Sequence, residues 1–285
     1  DQQTTIQDAG TSIYLGTAGI MFACLFCEGD LTRLGILRRS YLLAALIATL
    51  AGYLGFFHLV PGYQHFLDNE RVSATFKDPN VYGPFLIFPL LLLIVGFMTR
   101  GLRIGGLIMV AALLGGLFLS FSRGAWLHFA LSLVVAVVLL FAVSPDRRMR
   151  NRIVLLTVGA VFVAVLLVAA LTSIDSVRDI LLVRAKAIQP YDVGPGGRFW
   201  FQQLALTQIL EHPNGLGPFE FSRIFGGQQH DVYMQGFLVY GWLGGAAYMT
   251  LVLVTLVIGV RAVLIPTAWQ YYLLAAYAAF VGEVA

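Results

Sequence analysis

Charge is scarce in this chain: Asp, Glu, Lys and Arg make up 12% of its 285 residues, about half the share in an average soluble domain. With 59% hydrophobic residues and a mean hydropathy of +0.82, that scarcity excludes a water-soluble globule and points to a polytopic integral membrane protein. Cysteine is nearly absent. Cys24 and Cys27 form a C-x-x-C inside an apolar run, without the βα context or solvent access of a redox motif, so they are read as packing residues. There is no H-E-x-x-H and no G-x-x-x-x-G-K-[ST], and Gly215-Leu-Gly217 follows no strand of a βαβ unit. These absences argue against soluble nucleotide handling, and nothing points to nucleic acid as a partner. Apart from Glu283, the apolar runs lack the buried Asp, Glu or Lys of an ion-coupled transporter, which counts against a pump. The chain starts in a polar tail without an initiator Met, signal peptide or lipidation motif, and stops inside an apolar run. It is expected to be part of a longer protein.

Eight apolar segments are long enough, or nearly so, to cross about 30 Å of hydrocarbon at ~1.5 Å per residue. They are residues 13–27, 41–60, 81–99, 104–121, 125–143, 153–171, 232–260 and 270–285. The connection Ser144-Pro-Asp-Arg-Arg-Met-Arg-Asn-Arg152 is the most basic short loop, and short basic loops stay in the cytoplasm. Threading from it puts 10 of the 18 Lys and Arg residues in short cytoplasmic connections. The long polar segment Thr172–Asp231 then faces the exterior. Residues 1–285 read as a single transmembrane domain, with 172–231 as a large periplasmic loop within it. Glycine pairs at Gly105-Gly106, Gly115-Gly116 and Gly244-Gly245 fit close approach of helices in lipid. Asn80 is expected to cap the third span, and Ser122-Arg123-Gly124 to form a tight outer turn.

Loops this long are usually functional or disordered, and this one contains helix signals. Ile174, Val177, Leu181, Ala185 and Ile188 share one face of an amphipathic helix suited to the headgroup layer. Gly194-Pro-Gly-Gly197 breaks it, and a second helix runs from Arg198 to Glu211 until His212-Pro213-Asn214-Gly215 stops it. Arg123, at the end of two apolar helices, costs free energy unless it snorkels to the interface or binds something. Arginine is also the side chain best shaped for two-pronged phosphate recognition. Arg198, in the first turn of its helix behind flexible glycines, has the same choice between a solvated surface role and an anion site. His230 stands beside Asp231 where the loop rejoins the membrane, and histidine titrates near neutrality, as a general base should. A lone histidine is more often structural. His128 is expected to make an interhelical hydrogen bond.

Four stretches, taken in order, carry a resemblance. They are Arg71-Val-Ser-Ala-Thr-Phe-Lys-Asp-Pro-Asn-Val-Tyr-Gly83; Leu119-Ser-Phe-Ser-Arg-Gly-Ala125; Gly197-Arg-Phe-Trp-Phe201 through His212-Pro-Asn-Gly-Leu-Gly-Pro-Phe219; and His230-Asp-Val-Tyr233 with Gly241-Trp-Leu-Gly244. Together they resemble the integral-membrane O-antigen ligases and O-antigen polymerase-like proteins that handle undecaprenyl-linked saccharides. Here the family's usual His-Asn is His230-Asp231, and the usual Gly-Pro-Gly is Gly217-Pro-Phe.

The resemblance implies an all-α, GT-C-like transmembrane bundle in the bacterial inner membrane, with its active site facing the periplasm. The reaction it implies is an inverting, metal-independent transfer from undecaprenyl pyrophosphate, with no cofactor. The acceptor is a lipid A-core or a growing glycan, for ligase or polymerase respectively, and membrane lipids surround the protein. Arg123 and Arg198 would bind the pyrophosphate and His230 would be the base, with Arg71, Lys77 and Asp231 as further candidates for substrate contact. Arginines suit a site without carboxylate metal ligands, because they can neutralise charge developing on the leaving group. A lipid-linked saccharide flippase or exporter would share the basic external surface. It predicts a basic central cavity reaching the cytoplasmic side, and the apolar runs show none. A non-catalytic assembly subunit is a third reading and needs neither Arg123 nor His230. The orientation is tested with single cysteines placed in the 144–152 and 172–231 loops. An impermeant thiol reagent applied to intact cells should label the second and spare the first.

Overall fold

The computed structural model describes residues 2–27, 30–69, 71–172 and 193–285. The expected amphipathic helix at 174–188 lies outside the described residues. The chain is all-α: α1 (Gln2–Phe26), α2 (Leu31–Phe56), α3 (Pro79–Phe85), α4 (Ile87–Arg100), α5 (Ile104–Leu119), α6 (Arg123–Val143), α7 (Arg147–Thr172), α8 (Arg198–Glu211), α9 (Glu220–Phe225), α10 (Val232–Leu264) and α11 (Gln270–Val284). Among the described residues the only sheet is a hairpin pairing Leu67–Asp68 with Arg71–Val72. Each of the eight expected segments coincides with helix. Among the described residues, five helices or continuous helix pairs are long and apolar enough to cross a membrane by length and composition. Outside the largely buried α3–α4 pair, their large apolar side chains are widely exposed, as befits helices whose solvent is lipid and whose backbone groups must all be satisfied internally.

The chain divides into two compact units, one of Asp1–Glu28 with Lys186–Val257, the other of Gly29–Ala185 with Ile258–Ala285. In the second, Asp30 caps α2 by accepting from Thr32 N at 2.7 Å. That cap starts the helix early, so Arg33, Arg38 and Arg39 sit on its first turns and not in the expected loop. Two adjoining cores form. Ile87, Leu91, Leu140, Leu274 and Ala278 join α4, α6 and α11, and Ala45, Tyr82, Leu86, Leu113 and Leu117 join α2, α3 and α5. Gly115 and Gly116 lie against the Tyr53 and Tyr82 hydroxyls, the close approach their pairing predicts. The expected interhelical bond of His128 is present. Its Nε2–H donates to Ala279 O on α11 at 2.9 Å, and Nδ1 lies 2.9 Å from the Glu283 carboxylate.

In the first unit, α10 is not one straight span. Gly241 has φ 69° and ψ −171°, a conformation that breaks the helix. Tyr233 and Tyr248, about 22 Å apart along a straight helix, have ring centroids 5.9 Å apart. A Cβ on Gly236 would lie 3.6 Å from Gly245 Cα. Residues 232–240 therefore fold back against the start of the long apolar stretch, and Gly244 and Gly245 accept the Tyr240 and Phe237 side chains. The expected descent from Val232 to Val260 is corrected accordingly: the continuous helix starts after Gly241. Glycine permits both the left-handed break and the tight contact, two features that apolar periodicity does not register.

The freed backbone groups at the break are taken up by the turn that ends α8. Trp242 N donates to Pro213 O at 2.8 Å and Leu216 N to Leu238 O at 2.6 Å, while the Trp242 indole donates to Ile209 O at 2.8 Å. Gly215 (φ 81°) is the pivot of this contact. A Cβ there would lie 2.6 Å from Gly241 N and 2.7 Å from Val239 O. Gly194 (φ 86°) has nothing within 4 Å. Both Gly→Ala changes carry the left-handed cost of about 1–2 kcal/mol, but only Gly215→Ala also forces backbone apart, at about 1–3 kcal/mol more. Thermal unfolding of the purified variants should show the larger loss at Gly215.

Candidate active site

In the second unit, the turn between α5 and α6 is Ser120-Phe121-Ser122, with Phe121 left-handed at φ 46°. The expected turn at Ser122-Arg123-Gly124 is displaced because the Ser122 hydroxyl accepts from Ala125 N at 3.3 Å and caps α6. Arg123 is thus the first residue of α6, half-buried, at a helix end that favours anions. Likewise Asn80 is not the cap of its helix. Asp78 takes that role, accepting from Asn80 N at 2.7 Å, with Pro79 at the first helical position, where its missing N–H costs nothing.

Released from capping, the Asn80 amide oxygen accepts from Arg71 Nη2 and from the Ser122 hydroxyl, both at 2.9 Å. Arg71 Nε also donates to Ser120 O at 3.1 Å. Ser120 and Ser122 are both buried. Arg71 therefore ties the hairpin to the turn that carries Arg123. Lys77 is exposed and makes no hydrogen bond or ion pair among the described residues. Sequence reasoning missed Asn80 and the two serines as a network. The one available signal was Asp78-Pro79-Asn80, in which two side chains compete for a single cap.

The first unit holds the other candidates. Arg198 opens α8 after Gly197, as expected, and is exposed without a partner among the described residues. Three residues on, the Phe201 ring packs where a Cβ on Gly227 would sit. Ala205, Phe221 and Leu238 form the small core joining α8, α9 and the folded-back part of α10. The segments carrying Arg198 and His230 are thus anchored on the same aromatic contact. His230 is exposed, left-handed at φ 53°, and stands on a cleft of about 240 Å³. Phe221 and Leu238 contribute apolar surface to that cleft, and Ser222, Gln229 and Gln235 contribute polar groups. Gln229, 2% exposed, donates to Asp231 O at 3.3 Å and to Gln235 Oε1 at 2.5 Å.

Two carboxylates compete with His230 for the role of base, and each has another task. Asp231 accepts from Met234 N at 2.9 Å and caps residues 232–240. Glu220 is gripped by Arg223, with Nη2 and Nε at 2.6 and 2.9 Å from one oxygen. Hydrogen bonding from Arg223 holds the Glu220 carboxyl below the usual carboxylate range, making it a weaker base. Among the described residues, no three His, Cys, Asp or Glu gather to hold a metal ion.

These features define a multi-pass helical membrane protein. The model of the O-antigen ligase family matches residues 107–249, half of the chain, and the chain belongs to that family. Membership gives it an activity of the O-antigen ligase or polymerase type, glycosyltransferase-like, on lipid-linked saccharides and glycans in lipopolysaccharide biosynthesis. No curated protein and no solved structure matches it.

Asn80→Ala removes an acceptor shared by the Arg71 guanidinium and the Ser122 hydroxyl, a loss of about 0.5–1.5 kcal/mol per hydrogen bond. Asn80→Asp keeps an oxygen in place. Unfolding temperatures should fall for the first variant and hold for the second.

Proposed function

We propose that the protein transfers a saccharide from undecaprenyl pyrophosphate to an acceptor hydroxyl. It does so as an inverting, metal-independent O-antigen ligase of the GT-C kind, with lipid A-core as acceptor, at the periplasmic face of the bacterial inner membrane. The observation that carries the reading is His230 on the rim of a cleft, with both neighbouring carboxylates engaged elsewhere. His230 takes the proton of the acceptor hydroxyl. The oxygen bonds to the anomeric carbon from the face opposite the leaving group, and the bond from that carbon to the pyrophosphate oxygen breaks. Undecaprenyl pyrophosphate departs with the electron pair.

Arg123 and Arg198 bind the pyrophosphate and neutralise its developing charge. Both open a helix, so peptide dipoles add to the guanidinium charge. Arg71 and Asn80 hold the turn beneath Arg123. Metal independence is supported by arginines standing where carboxylate ligands are lacking.

Purified full-length protein supplied with undecaprenyl-pyrophosphate oligosaccharide, with and without lipid A-core, tests the reading by product. A glycan joined to lipid A-core is the ligase outcome, a lengthened lipid-linked glycan the polymerase outcome. His230→Ala should cut turnover by about 10²- to 10⁴-fold while donor affinity holds, the usual worth of a positioned base. Arg123→Lys and Arg198→Ala should each cost about 2–4 kcal/mol of transition-state stabilisation, and wild-type turnover should persist in EDTA. Full turnover in His230→Ala removes the base assignment.

A further inference from the structure

Both rims of the cleft at His230 are built on unfavourable backbone. Phe219 (φ 63°) and His230 (φ 53°) are non-glycine residues in the left-handed region, and both line it. Such strain persists only where surrounding structure over-determines it, and it gathers at ligand clamps. The chemistry of the lining is selective. Among the described residues it holds no Lys or Arg, so nothing there suits a pyrophosphate. Instead it offers an aromatic and aliphatic floor with amides, the Ser222 hydroxyl and the Asp231 carboxylate at its edge.

Gln235 is the most telling of these. It lies four residues after Asp231 and so on the same helix face. Its amide oxygen is occupied by Gln229, and the buried Gln229 side chain is itself fixed by Asp231 O. With its oxygen held on Gln229, the Gln235 amide keeps both N–H₂ donors for a ligand. Ser222 adds a hydroxyl that both donates and accepts. Apolar surface below, with amides, a hydroxyl and one carboxylate at the rim, matches a pyranose, whose faces are C–H and whose edge is hydroxyl. A volume of about 240 Å³ lies below the ~300–1,000 Å³ of drug-sized sites, which suits a single ring.

Resting on the proposed transfer reaction, we infer that this cleft is the subsite for the acceptor's sugar ring, with Gln235 and Ser222 orienting the hydroxyl that His230 deprotonates. The donor's first sugar is the same chemistry from another source, and kinetics separate the two. In the full-length protein, Gln235→Ala and Ser222→Ala should each raise acceptor KM about two- to tenfold, the worth of one neutral hydrogen bond, with donor KM unchanged. A rise confined to donor KM would overturn the acceptor assignment.

Saturation-transfer NMR with free glucose, galactose, N-acetylglucosamine and a heptose, and separately with inorganic pyrophosphate, reads binding without turnover. Its result stands apart from whether His230 is the base. At least one sugar should receive saturation from the wild type and lose most of it with Gln235→Ala and with Gln235→Glu, which keeps size and helix propensity but removes the donors. Pyrophosphate signals should not change between these proteins. Absence of transfer to every sugar, or wild-type transfer in both Gln235 variants and in Ser222→Ala, would refute the subsite.

Discussion

A helix that breaks beside a membrane must find new partners for the backbone groups it releases, and in this protein the break at Gly241 finds them in the Pro213–Leu216 turn. Two short hydrogen bonds, Trp242 N to Pro213 O and Leu216 N to Leu238 O, close that account. Unpaired, such groups would each cost several kcal/mol in hydrocarbon. The consequence reaches the elements that pack on the break. Residues 232–240 fold back, α8 ends against the fold, and His230 is presented by a helix pinned on two sides. A base has to be held within a fraction of an ångström of its proton. For the base proposed at His230, the pinned start of residues 232–240 limits how far the adjoining loop can move.

The same economy of charge organises the candidate chemistry. Cations stand at helix starts, Arg123 on α6 and Arg198 on α8, where the peptide dipoles already favour an anion. The cleft at His230 has no Lys or Arg among its described lining and is furnished with amides, a hydroxyl, a carboxylate and rings. Arg223 is paired with Glu220, and the Asp231 carboxylate caps the start of its own helix. The transfer proposed above calls for this division, because a pyrophosphate and a neutral sugar ring are recognised by opposite means. Arg71, a candidate substrate contact by the resemblance, has at least two of its donors committed to Ser120 and Asn80. Its place is beneath the Arg123 turn.

Much was legible in the chain itself, because hydropathy and capping are local. About 30 Å of hydrocarbon needs a run of apolar residues, and that run is visible in the sequence whatever it packs against. The all-helical class, the segments that form helix, the start of α8 at Arg198 and its stop at His212 follow from it and from Gly and Pro punctuation. The interhelical bond of His128 was legible for the same reason, since an imidazole in an apolar helix needs a polar neighbour. Only the tertiary structure decided which of Asp78 and Asn80 caps α3, since both side chains offer the same oxygen and the choice turns on Arg71 and Ser122. It alone showed that Gly241 breaks a helix while Gly244 and Gly245 receive side chains, because all three look alike in an apolar run. Gln235 carried no signal at all. Its donors acquire a direction only when Gln229, buried between exposed loop neighbours, takes its oxygen, and contacts that depend on the path of a loop are not encoded in periodicity.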